Sequence, residues 1–180
     1  MNKTRRLVLL ALLVAMAATL HVVESWLPVP MPVPGVKLGL ANIISLFALI
    51  IFGWKEAFYI AVARVLIGSL FGGTLFGPSF IMSMGGSLIS ILIMTYIHKK
   101  YGHVFSLVGV SVFGAVAHNI AQVALAALLV YSLGLLWYIP YLLLFAVPTG
   151  LFTGLAVNYF FAKAPAKYGF KLKMLSHPNK

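Results

Sequence analysis

The sequence predicts an all-α integral membrane protein, a bundle of six transmembrane helices, and three observations point there. Of its 180 residues, 62% are hydrophobic and 8% are charged, more apolar surface than a soluble domain of that length hides from water. The apolar residues fall into six runs, and the length has room for five to seven spans of about 20 residues each. The cations gather at the ends of those runs and in the tail, where they set topology.

Two classes of function are excluded at once. A net charge of +11 invites a nucleic-acid reading, but no basic surface interleaved with stacking aromatics exists in a soluble module. The basic residues read as topology signals and a contact with anionic lipid. The absence of cysteine removes disulfides, thiolate chemistry and cysteine-held metals.

The first run extends from about Arg6 to Val23 and closes at His21, Glu24 and Trp26. Lys3, Arg5, Arg6 and the Ala15-Met16-Ala17 triplet resemble a signal peptide, but the apolar run continues past that point, so it reads as a retained span. A proline ladder follows at Pro28, Pro30, Pro32 and Pro34. Each ring lacks an N–H and fixes φ, so the segment is a stiff extended strap ending at Gly35. The second run spans roughly Lys37 to Phe52, with a basic, aromatic turn at Gly53-Trp54-Lys55. The third covers Glu56 to Leu70 and ends in the turn chemistry of Gly72-Gly73 and Gly77-Pro78. The fourth runs from Ser79 to Ile97, closed by His98-Lys99-Lys100, the fifth from Phe105 to Tyr131, and the sixth from Tyr138 to Phe161. The reading is a six-helix transmembrane domain over residues 1–162 and a basic tail over 163–180. With the N-terminus inside, eleven of the thirteen lysines and arginines lie inside; Lys37 is outside and Arg64 is within a run. That asymmetry places both termini in the cytoplasm.

Polar groups at membrane depth are costly and need a reason. Arg64 lies eight residues into the third run, about 12 Å from its start. Glu56, on the same helix, is turned away by about 80°, which leaves Glu24 as the intramolecular partner to expect. Two readings stay open: Arg64 awaits an anionic substrate group, which guanidinium binds bidentately, or it is structural, paired with Glu24 or with carbonyls. His118 and Gln122 share a face at i,i+4, and Asn119 adjoins it. Lys37 and Asn42 lie in the outer part of the second run. Any one of these is the kind of residue that hydrogen-bonds helix to helix. As a set, Lys37, Asn42, Arg64, His118, Asn119 and Gln122 point to a substrate pocket open to the exterior, beneath the proline strap as lid. Trp137, Tyr138 and Tyr141 either wall it or form an interfacial belt. Small-residue pairs at Ala11/Ala15, Gly68/Gly72, Ala117/Ala121 and Gly150/Gly154 permit close helix approach.

The chain carries no G-x-x-x-x-G-K-[ST] loop for ATP and no aspartate, and its only acids are Glu24 and Glu56. A Mg²⁺-diphosphate enzyme needs several carboxylates converging on metal. The chain therefore reads as no enzyme, with no cofactor and no metal site.

The run PVPGVKLGLANIISLFALIIFG, followed by WKEAFYIAVARVLIGSLFGGTLFGPSF, resembles the Gx transporter family, also labelled heptaprenyl diphosphate synthase component I. The resemblance covers roughly Leu7 to Phe161. More distantly, the layout is similar to the substrate-binding S components of energy-coupling factor (ECF) transporters. That resemblance implies an S-component-like fold in a bacterial cytoplasmic membrane, with a lid loop and an outward-facing pocket. It also implies partners: a membrane coupling subunit and two ATPases. Ala11 and Ala15 match the first-helix Ala-xxx-Ala motif that docks on the coupling subunit. The synthase label implies another role, a non-catalytic membrane component of a heptaprenyl or polyprenyl diphosphate synthase. From that label an isoprenoid or quinone precursor would be the substrate. Of the two, the proline lid and outward-facing polar cluster favour transport.

Overall fold

The computed structural model of the chain describes residues 2–26, 37 and 39–163. The proline ladder with Gly35, and the tail beyond Lys163, lie outside the described residues. Among those described, every regular element is helical: α1 (Lys3–Trp26), α2 (Asn42–Ile51), α3 (Trp54–Phe71), α4 (Pro78–Tyr101), α5 (Leu107–Leu129), a 3-10 helix at Leu133–Tyr138, and α6 (Ile139–Lys163). Four stretches are long and apolar enough to cross a membrane: α1, α4, α5 and Leu133–Lys163. The chain is a multi-pass membrane protein.

The helix limits follow local chemistry. Gly53, at φ 101°, starts α3, a backbone conformation that L side chains rarely take. Pro78 occupies the first turn of α4, where its missing N–H costs nothing. Ser106 caps α5 by accepting the Gly109 N–H at 3.4 Å, and His98, Lys99 and Lys100 fill the last turn of α4, the negative end of its dipole. Pro148 lies inside α6 and leaves the Leu144 carbonyl without its helical donor.

The second apolar run departs from expectation. Helix begins at Asn42, not Lys37, because Gly39 at φ 83° turns the chain. Asn42 and Ile43 donate back to the Gly39 and Leu40 carbonyls at 2.9 and 3.1 Å. What remains is a helix of 10 residues, about 15 Å long against a hydrocarbon core of about 30 Å. It packs on all five other α-helices and exposes no residue, as expected of a helix apolar on every side. Phe47 stacks on Phe161 of α6 with ring centroids 5.4 Å apart.

Around α2, the other helices follow the order α1–α3–α4–α5–α6 by contact. Small residues set the spacing, as membrane bundles require in the absence of a water-driven hydrophobic force. A Cβ on Gly68 would meet His21 Cδ2 at 2.6 Å, so α1 and α3 close over that glycine. Gly150 and Gly154 of α6 lie against the backbone of Val112 and Val108 on α5, and Ser111 and Thr153 hydrogen-bond across the same seam at 2.5 Å.

One end of the bundle is basic. Arg6 of α1 pairs with Glu56 of α3, and Lys55 and Lys99 bring their ammoniums 5.9 and 5.8 Å from the Trp54 ring. Lys163 closes α6 beside Tyr159 at 5.9 Å. The opposite end carries exposed aromatics instead, including Trp26, Phe71, Phe76, Tyr131 and Trp137.

Candidate functional site

Between the centre of the bundle and its aromatic end, α1, α2, α3, α4 and α5 bring their polar residues together. The segment entering α2 is held from both sides. Glu24 of α1 is buried, at 5% exposure, and its Oε1 accepts the backbone N–H of Gly39 and, at 3.3 Å, of Leu40. From α5, Gln122 Oε1 accepts the Lys37 backbone N–H at 3.1 Å. Gly39 is required on two counts. Its φ is positive, and a Cβ there would meet Asn42 Nδ2 at 2.9 Å and His118 Cδ2 at 3.2 Å.

Arg64 is buried at 1% exposure. The sequence left open an anionic substrate group or, within the chain, Glu24 or carbonyls as its partner. Its Nη2 instead donates to Asn42 Oδ1 at 2.7 Å and to Ser87 Oγ of α4 at 2.8 Å. Neutral acceptors therefore orient the guanidinium without cancelling its charge. Glu24 acts on it, and on Lys37, only through space. Lys37, 7% exposed, donates its ammonium to His21 Nε2 at 2.7 Å. Lysine has no acceptor, so this imidazole carries its proton on Nδ1 and is neutral.

His118 is wedged between two glycines, Gly39 and Gly86. A Cβ on Gly86 would meet His118 Cε1 at 3.0 Å and Gln122 Cγ at 2.9 Å, so α4 must present a glycine for those two α5 side chains to lie flat against it. Five of the six sequence-predicted residues, Lys37, Asn42, Arg64, His118 and Gln122, thus meet in one cluster. Asn119 departs. One residue along a helix turns the side chain by about 100°, and its Nδ2 donates to the Leu142 carbonyl of α6 at 3.1 Å, the interhelical role open to any single amide.

Sequence reasoning missed His21 and Ser87. His21 had a legible signal, since it stands three residues before Glu24 on one face of an apolar helix. Ser87 had none, because its hydropathy resembles that of the other serines on α4. The hydrogen-bond inventory of the cluster is incomplete. Asn42 Nδ2, Arg64 Nε, His118 Nδ1 and Gln122 Nε2 are buried and find no partner among the described residues. A buried polar atom left unpaired costs about 1–3 kcal/mol, and four of those found among the described residues lie in this cluster. Among the described residues no group of three or more histidines and acids could hold a metal ion.

Ala11 and Ala15, expected as a docking face, are both exposed on the outer side of α1, a helix that among the described helices packs on α3 and α2.

A family model described as heptaprenyl diphosphate synthase component I matches residues 13–160. No curated protein and no solved structure matches the chain.

Proposed function

Because the chain belongs to the heptaprenyl diphosphate synthase component I family, we propose that it is a membrane binding subunit rather than an enzyme. In this reading it is the S component of an ECF-type transporter that imports a small anionic molecule. The observation that carries the reading is the buried cluster around Arg64, which gathers several donors without a partner among the described residues between the centre of the bundle and its aromatic end. A short helix ending at such a cluster is how membrane proteins present backbone and polar side chains to a ligand inside the bilayer. In the same reading, residues 1–162 form the transmembrane domain of a bacterial cytoplasmic membrane protein and 163–180 its tail. Both termini are cytoplasmic, since the basic end holds Lys3, Arg5, Arg6, Lys55, Lys99, Lys100 and Lys163. Residues Lys37, Asn42, Arg64, His118 and Gln122 hold the ligand, and Asn119 supports them from the α6 side.

The family description itself favours a second reading, a non-catalytic membrane component that assembles with another component of a prenyl diphosphate synthase. The deciding experiment is a gentle-detergent pull-down of the tagged chain from its host with partners identified by mass spectrometry. Recovery of ATPases with a membrane coupling subunit supports transport; recovery of a soluble prenyl synthase replaces it with the second reading.

Two variants probe the transport reading further. Arg64→Ala combined with Lys37→Ala is expected to abolish uptake of radiolabelled substrate; unchanged uptake would remove both residues from the site. Ala11→Trp is expected to lose the coupling subunit in the same pull-down while the thermal midpoint stays near that of the unmodified chain, because position 11 is exposed. Full partner recovery would take the docking face away from α1.

A further inference from the structure

The cluster's charges and hydrogen-bond inventory define what completes it. Arg64 and Lys37 bring two positive charges and Glu24 one negative, and His21 is neutral as the acceptor from Lys37, so these four groups are left with a net charge of one plus. Three of its unpaired atoms, Asn42 Nδ2, Arg64 Nε and Gln122 Nε2, are obligate donors and come from α2, α3 and α5. The charge of Glu24 is already set against those of Arg64 and Lys37, so the cluster offers no net negative charge to a ligand cation.

We infer that the group recognised here is a single carboxylate, one negative charge with acceptor oxygens and no donors, and that phosphates and diphosphates are excluded. This rests on the reading of the cluster as a ligand site and narrows its substrate to monocarboxylic acids. A carboxylate brings one negative charge and about four acceptor positions, which meets the three donors and neutralises the cluster. A phosphate monoester carries a charge of about −1.5 to −2 at neutral pH, and a diphosphate more. Either would leave a net negative charge buried among helices, with no further described cation in the cluster to answer it. A buried net charge of either sign is disfavoured, so the stoichiometry of charge selects the ligand class. Mg²⁺ offers no escape, since the single carboxylate of the cluster, Glu24, already holds the Gly39 and Leu40 N–H groups and is offset by the two cations.

The test uses the purified full-length chain in detergent and reads its thermal unfolding midpoint by intrinsic fluorescence. The probes are the sodium salts of acetate, benzoate, chloride, sulfate and pyrophosphate at matched ionic strength. Acetate and benzoate are expected to raise the midpoint by several degrees in a saturable manner, while the other three leave it unmoved. Asn42→Asp keeps the oxygen that accepts from Arg64 and places a carboxylate where the unpaired amide stood. It is expected to raise the midpoint without any added salt and to lose the response to benzoate. Gln122→Glu installs the same charge from α5 and is read in the same way should Asn42→Asp fail to fold.

No response to either carboxylate overturns the inference. So does an equal or larger response to sulfate or pyrophosphate, or a benzoate response that survives both substitutions. An equal response to chloride reduces the site to an adventitious ion only. The pull-down reads the transport assignment separately. ATPases recovered without a carboxylate response leave the transporter standing with another ligand, and a carboxylate response without ATPases leaves the site and removes the transporter.

Discussion

Glu24→Ala is expected to destabilise the bundle by about 3–5 kcal/mol, the magnitude for removing one partner from a buried set of charges. Two consequences add in the same direction. Arg64 and Lys37, 1% and 7% exposed, lose the acid whose field offsets theirs, and the N–H groups of Gly39 and Leu40 lose the oxygen that holds them. The second loss frees the entry to α2, so Asn42 no longer stands fixed in front of Arg64. Glu24→Gln separates the two effects, because it keeps an acceptor oxygen for the backbone and discards only the charge. Denaturant unfolding in mixed micelles is the measurement, with Glu24→Ala expected to lose more stability than Glu24→Gln. Equal and small losses would mean that the acid contributes neither charge balance nor backbone anchoring.

The second large effect is steric. A leucine at Gly150 would place its Cβ 2.6 Å from Val112 Cα and 3.1 Å from Val112 N. Those are backbone atoms inside α5, which cannot rotate aside as a side chain would. The helices must separate, and Ser111 with Thr153 and Asn119 with Leu142 lose their contacts along the same seam. Gly150→Leu is expected to cost about 1–3 kcal/mol as overpacking, and more once the buried hydroxyls and amide are unpaired. Gly134→Ala serves as the control. Its nearest neighbour would be a serine hydroxyl at 3.5 Å, so a change of no more than about 0.5 kcal/mol is expected. The unfolding midpoint of the two variants in the same detergent decides the matter; similar values would show that α5 and α6 do not depend on close approach.

Hydropathy and turn chemistry located every α-helix, within a few residues in most cases, but not the 3-10 helix at Leu133–Tyr138. The run expected from Glu56 to Leu70 is helix over Trp54–Phe71, and that from Tyr138 to Phe161 is helix over Ile139–Lys163. The second run was the largest departure. Hydropathy is indifferent to whether apolar residues are helical, and the positive φ at Gly39 is decided by the close approach of Asn42 and His118, which no local pattern reveals. The polar cluster was legible where helical spacing governs it. His118 and Gln122 do point the same way because i and i+4 share a face. It was illegible where a partner comes from a distant element. The acceptors for Arg64 are an amide on α2 and a hydroxyl on α4, while charge alone nominated Glu24. Asn119 was grouped by adjacency with neighbours that a turn of about 100° separates from it.

The position of α2 has a thermodynamic consequence. One of its ends holds Asn42 against Arg64, and the other passes through Gly53 into Trp54, where Lys55 and Lys99 converge. No loop interrupts its 10 residues, and it touches all five other α-helices, so a shift at one end is delivered to the other instead of being absorbed along the way. Close-packed interiors transmit strain. If a ligand bound at the proposed site moves α2, a partner proposed for the basic face would feel that occupancy as a change in its own affinity. Linkage then makes the effect mutual: a partner on that face tightens or loosens the ligand by the same factor by which the ligand tightens or loosens the partner.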